Sequence, residues 1–357
     1  MATLISQPDT LCFSSDIADI VFGSNAVRGD LELDMYYNGS WRQVLRETMY
    51  ADSSGSITIS DISSLAEAYA QRYLQVEMRC TFTDSAGAVS IDPVTILYSL
   101  ADVGMTASEF TESHFLTILN GEKLTARGRE ERLYAYGTAV ATVIADVQLP
   151  SGQFNTLSAE LNTLSTNGVG YAQFDVSPDN VANLVGLLSG KLLSYTIEAG
   201  IRRQHFRCVE DHVPPAPSLL FTNSFGCQEF IHCVGTHRKD SKYERKSTHV
   251  QGRLRNIRIT EDRQFTANTG WLNEAMADWA DDLFRSPEVY LWVEFMDQGR
   301  MRGRQVVITD SKSEISNEDD DMPAFEFKYS YAQRIHNVMQ PAHSGRVFDN
   351  TFDHTFN

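Results

Sequence analysis

Along the first two hundred positions, apolar and polar residues alternate in short runs broken by turn residues. In DLELDMYYNGSWRQVL, Leu31, Leu33 and Met35 alternate with Asp30, Glu32 and Asp34, and the run turns at Asn38-Gly39. Period-two alternation puts the apolar set on one face of a strand, and Asn-Gly readily adopts the positive φ angles of a two-residue hairpin. GSITISDI and YLQVEMRCTFTDSAGAVSI continue the pattern, with Ala-Gly at the next turn. The pattern predicts an immunoglobulin-like β-sandwich over residues 1–100.

A second stretch repeats this grammar. GSITISDISSLAEAYAQRYLQVEMR lines up with GYAQFDVSPDNVANLVGLLSGKLLSYTIEAGIR as strand, short helix, strand. Ser63 and Ser177 suit the helix N-cap, where a hydroxyl satisfies an orphan N–H, and Pro178 fits the first turn. A second β-sandwich, a candidate duplicate of the first, is expected over 101–213.

EDHVPPAPS, residues 210–218, is a proline-rich linker and the clearest boundary in the chain. Beyond it, strands SLLFTNSF and QEFIHCVGT lead through STHVQGRLRNIRITEDRQFTA to one convincing helix, WLNEAMADWADDLFR. Its apolar positions, Leu272, Ala275, Met276, Trp279, Leu283 and Phe284, recur at spacings of three and four, and Ser286-Pro287 stops it. Strands EVYLWVEFM, RQVVITD and AFEFKYSYAQRI follow. The order predicts an α+β module over 214–340, a sheet covered by one helix.

At 357 residues the chain has room for several cores. A net charge of -17 argues against a surface that coats DNA or anionic membrane as a whole. No basic stretch followed by an apolar run opens the chain, and no segment approaches the roughly 20 apolar residues of a membrane span, so synthesis in a cytoplasm and no membrane partner are expected. The five cysteines, Cys12, Cys80, Cys208, Cys227 and Cys233, follow no repeating framework and are expected as reduced thiols.

Candidate chemistry is sparse. Cys227, His232, Cys233, His237 and His249 suggest a metal cluster, but alternation on a strand turns His232 away from the two thiols, so no metal and no other cofactor is expected. Glu274, Asp278 and Asp282 form an acidic row at helical spacing, read as a solvated face or a face for a basic partner rather than as catalytic carboxylates. No nucleophile elbow, P-loop, zinc-helix or dinucleotide signature occurs, so an enzyme is not expected. Against the overall sign stands a basic cluster, Arg238, Lys239, Lys242, Arg245 and Lys246, read as a long hairpin loop with Arg253, Arg255 and Arg258 on the returning strand. An acidic run, Glu318, Asp319, Asp320 and Asp321, follows later. Opposed charges of this kind can fix register between copies of one chain.

In LLFTNSFGCQEFIHCVGT, GWLNEAMADWADDLFRSPEVYLW, FEFKYSYAQRIHNV and VFDNTFDHTFN, and in the opening ISQPDTLCFSS, the chain resembles structural tail proteins of phages and prophages of gut Bacteroidetes. The resemblance implies a non-enzymatic virion subunit of the tail tip or baseplate, assembled in the bacterial host cytoplasm. It implies a tail-tube-like fold for the third module, whose copies form a ring around the DNA channel. Partners would be other copies of the chain and neighbouring tail proteins, with DNA passing through without specific binding. Familiar distal tail proteins place the tube-like module first, whereas here the sandwiches precede it.

Residues 341–357 read as an extended arm. Phe348, Phe352 and Phe356 lie four apart and share one parity, so a strand would carry all three rings on one face. Such an arm is expected to dock as an added strand on another subunit or a neighbouring tail protein. Two other functions remain open at this level: a virion-borne glycan or cell-surface binder using Tyr36, Tyr37 and Trp41 near the Asn38-Gly39 turn, and a cell-wall hydrolase with an unrecognised site.

Overall fold

The structure is a computed structural model that describes residues 2–138, 140–166, 170–209, 216–295, 299–311 and 322–333. The fold is mainly β: two sandwiches of immunoglobulin-like strand order, then a broad sheet covered by a helix.

In the first sandwich, β1 (Thr3–Ser6), β3 (Ile20–Gly23) and β6 (Ser56–Ile59) form the smaller sheet. The larger contains β2 (Leu11–Phe13), β4 (Arg28–Tyr37), β5 (Ser40–Tyr50), β7 (Gln75–Asp84), β8 (Gly87–Ser90) and β9 (Val94–Leu97). Its order is β2-β9-β7-β4-β5, with β8 on β7; β2 runs parallel to β9 and the other pairs are antiparallel. Alternation along β4 turns Leu31, Leu33 and Met35 inward, and Phe22 stacks on Phe82 at 5.5 Å between ring centroids. Helix α1 (Ile62–Tyr73) connects β6 to β7 and buries Ala66 and Ala70, whose small side chains let the helix lie close to the core. The helix begins one residue before Ser63. That hydroxyl therefore caps nothing and instead accepts from the Ile17 N–H.

The second sandwich repeats the order and directions of the first in its larger sheet, whereas its smaller sheet adds its third strand on the opposite edge. Its larger sheet is β10-β17-β16-β12-β13, built from β10 (Glu122–Thr125), β12 (Val140–Gln148), β13 (Phe154–Asn162), β16 (Lys191–Ala199) and β17 (Arg202–Cys208). Here β10 runs parallel to β17. The smaller sheet joins β11 (Arg132–Tyr136), β15 (Tyr171–Asp175) and β14 (Ser165–Thr166). A short helix, α3 (Pro178–Leu184), stands where α1 does in the first sandwich; Ser177 occupies its N-cap position, but its hydroxyl makes no cap bond and instead accepts from the Glu131 N–H and donates to Asp175. Tyr195 and Phe206 stack at 4.8 Å in the core.

Between the sandwiches lies α2 (Ala107–Ser113), opened by a reciprocal cap in which Thr106 and Glu109 bond each other's backbone N–H. The third module is one seven-stranded antiparallel sheet, β19-β18-β22-β23-β24-β21-β20. Its strands are β18 (Ser218–Thr222), β19 (Gln228–His232), β20 (His237–Val250), β21 (Arg253–Asn268), β22 (Val289–Phe295), β23 (Gly299–Ser311) and β24 (Glu326–Tyr331). Helix α4 (Glu274–Arg285) packs Trp279, Ala280 and Leu283 against Phe221, Phe265 and Phe327.

The modules are tightly docked. Phe13, Phe110 and Phe225, one from each sandwich flank and one from the third module, form a triangle with ring centroids 5.1–5.7 Å apart. Gly226 has φ 73°, and a Cβ there would stand 2.5 Å from Leu74 Cδ2 of the first sandwich, so this approach needs glycine on both counts.

Candidate functional site

The most prominent surface is the hairpin of β20 and β21. Only its root belongs to the wide sheet, because β21 pairs with β24 over Gln264–Asn268. From Ser241↔Arg263 to Val250↔Arg253 the two strands pair only with each other, through ten residue pairs. At about 3.3 Å per residue this ribbon projects roughly 33 Å. Gln251 and Gly252, with φ 51° and 72°, close it in the positive-φ turn that matches strand twist.

The basic cluster therefore occupies a strand and not a loop. Arg238 and Lys239 sit at the root, while Lys242, Arg245 and Lys246 run along the ribbon. Because strand neighbours alternate, Arg238, Lys242 and Lys246 share one face, and Lys239 and Arg245 share the other. Over residues 237–268 there are nine Lys and Arg against four Asp and Glu, on a chain whose net charge is -17.

Two features set the ribbon apart from the other strands. Lys246 stands directly opposite Arg258, a like-charge pair that opposes hairpin formation. Tyr243, Leu254, Ile257 and Ile259 are 47–66% exposed. Internal compensation is local: Arg263 approaches Glu261 to 2.7 Å and, chiefly through that hydrogen bond, lowers the Glu261 pKa. A lone two-stranded ribbon is marginal in water, so burial of these apolar groups against a partner would stabilise it.

The other sequence candidates are dispersed. Glu318 to Asp321 and Phe348, Phe352 and Phe356 lie outside the described residues. Tyr37 faces the helix side of the first sandwich, whereas Tyr36 and Trp41 lie on the opposite face, 5.5 Å apart between ring centroids. Cys227 and Cys233 are buried free thiols, both pushed up by burial. His232 bonds Ser218 and the Glu130 carbonyl, and His237 bonds Tyr329.

Asp282 corrects the expectation of a solvated acidic row. It is 2% exposed and accepts hydrogen bonds from the Ser224 N–H and hydroxyl. It ties the Ser224 turn to α4 within the third module, beside a sealed polar junction between the second and third modules. There, Lys123 Nζ lies 2.8 Å from Glu131 and donates to the Phe230 carbonyl at 3.0 Å. Glu229 accepts from Trp279 Nε1 and Asn223 Nδ2. Burial raises the pKa values of Glu131, Glu229 and Asp282. The contacts of Lys123 with Phe230 and Trp279 hold one module to the other, away from solvent. Nothing in local spacing reveals the junction, since Lys123 and Trp279 are far apart in the chain. By contrast, the TASE segment at 106–109 carries a capping signature that locates α2 and hence Phe110.

No family model matches the chain, and no curated protein does. Among solved structures, a chain described as "Virion of native gene transfer agent (GTA) particle" is similar at 15% identity and a TM-score of 0.23, over 32% of this chain and 91% of that one. The structure described as "Crystal structure of Dscam1 isoform 4.44, N-terminal four Ig domains" is similar at 11% identity and a TM-score of 0.19, over 75% and 74%. At these scores neither likeness transfers a fold or a function to this chain.

Proposed function

We propose that the chain is a non-enzymatic structural subunit of a phage tail tip or baseplate, made in the host cytoplasm and carried in the virion. Its tail-tube-like third module joins copies of itself into a ring around a DNA channel, and neighbouring tail proteins continue the assembly. What carries this reading is the projecting basic ribbon, with its unfavourable Lys246–Arg258 pairing and exposed apolar side chains. An acidic surface on the next subunit would satisfy both the charge and the apolar area, and complementary charge would fix its register. The acidic balance of the rest of the chain suits a channel that lets DNA slide, if that surface faces inward. Arg346 to Asn357 is assigned as the arm reaching a neighbour.

Imaging and sedimentation of the purified chain test the proposal. Rings or stacked tubes that dissociate as salt rises are expected, and truncation after Arg346 should leave a stable monomer that does not assemble. A chain that stays monomeric at all concentrations and in the presence of its neighbouring tail proteins would overturn it.

A further inference from the structure

At the Asn38-Gly39 end of the first sandwich, the β4–β5 hairpin and helix α1 enclose an open hollow of about 420 Å³. Tyr37 projects from the core face of β4, and its ring lies 5.1 Å from both Tyr69 and Tyr73 of α1. The Tyr37–Tyr73 pair is stacked, with 28° between ring planes. Two guanidiniums complete the lining: Arg42 is 5.2 Å from the Tyr37 ring centre, and Arg72 is 5.5 Å from that of Tyr73.

The charge around the hollow is unusual for this module. Residues 1–100 contain five arginines, no lysine and thirteen carboxylates. Arg46 is committed to Glu32 at 3.4 Å and Arg79 to Asp34 at 2.9 Å. Among the described residues Arg42 and Arg72, like Arg28, are paired with no carboxylate; Arg42 and Arg72 both line the hollow and are exposed, and no Asp or Glu lines it with them. On the opposite face the contrast is direct: Arg79 lies 4.5 Å over Trp41 but is neutralised by Asp34.

We propose that this hollow binds a carboxylate-bearing saccharide. Guanidinium forks match a carboxylate in charge and geometry. The packed tyrosines hold both guanidiniums in place at the rim, while their phenolic hydroxyls and the Asn38 amide can pair with sugar hydroxyls. The volume falls within the range of about 300–1,000 Å³ found for small-ligand sites, room for one or two sugar rings. A long polyanion such as nucleic acid needs a continuous basic track, and a module with five arginines and no lysine against thirteen carboxylates offers none. This site is separate from the assembly ribbon, so either assignment can fail without the other.

Calorimetric titration of the full chain tests it, with trigalacturonate, a hyaluronan tetrasaccharide and sialyllactose as probes. At least one should bind saturably. For trigalacturonate the methyl ester is the control, for hyaluronan its carboxyl-reduced form, and for sialyllactose plain lactose; each should bind at least tenfold more weakly. The Arg42→Gln/Arg72→Gln double variant should lose binding at least tenfold with its melting temperature unchanged, and Tyr73→Leu should weaken it with the arginines intact. Failure of all three probes, equal binding of the neutral control, or undiminished binding by the double arginine variant would each overturn the proposal. So would displacement of the saccharide by oligothymidylate at comparable concentration, which would mark a nucleic-acid site.

Discussion

The ammonium of Lys123, from the second sandwich, lies 4.3 Å from the centre of the Trp279 ring, on the helix of the third module. The same indole donates to Glu229, and the same ammonium meets Glu131. A cation held over an aromatic face and between two buried carboxyl groups is stable only while both modules stay docked. The junction therefore makes α4 part of the inter-module seam as well as the cover of its own sheet.

Trp279→Ala should destabilise the chain by about 3–5 kcal/mol, because it opens a cavity in the core and removes the Glu229 donor. Trp279→Phe keeps most of the packing and should cost less, about 1–3 kcal/mol, for the unpaired buried carboxylate. Urea denaturation checks the order. Equal losses would show that the indole N–H contributes nothing.

Burial raises the Glu131 carboxyl above its ordinary 4.5, with Lys123 opposing the shift. The folded chain then keeps a proton that the unfolded chain has already released. Stability from this group is complete below the ordinary value and is lost as pH rises towards the folded value. Relative to Glu131→Gln, the parent should lose unfolding free energy as pH climbs above the ordinary carboxyl value of 4.5. Parallel curves would exclude Glu131 as a titrating group in that window.

Arg258→Glu converts the Lys246–Arg258 clash into an opposite-charge pair, worth about 0.2–1 kcal/mol to the ribbon. Slower amide exchange across β20 and β21 is expected in the monomer, together with weaker assembly in sedimentation. Stronger assembly would show that the ribbon's positive charge has no partner.

Gly226→Ala forces a methyl group towards Leu74, whereas Gly39→Ala, at a similar positive φ of 79°, meets open space. Both carry the backbone penalty, so their difference isolates packing between the first and third modules. The melting temperature should fall further for Gly226→Ala. Equal shifts would mean that the Phe225-Gly226 turn is not wedged against the first sandwich.

Where local period decides, the residue order was enough. The alternation of Leu31, Leu33 and Met35 against Asp30, Glu32 and Asp34 specifies the inward face of β4, and Asn38-Gly39 specifies its turn. Likewise the stripe through Met276, Trp279 and Leu283 determines α4 and its buried side. Other assignments depended on what tertiary neighbours supply. Arg238 to Lys246 reads as loop because charged residues are poor strand formers, yet pairing with β21 holds them extended. Asp282 fits a polar helix face until Ser224 arrives from another strand connection to satisfy its oxygens. Tyr37, Tyr69 and Tyr73 gain a common hollow only when α1 folds back beside the β4–β5 hairpin. Period acts between chain neighbours and is written in their order, whereas burial, charge pairing and enclosure act between groups that only the folded chain makes adjacent.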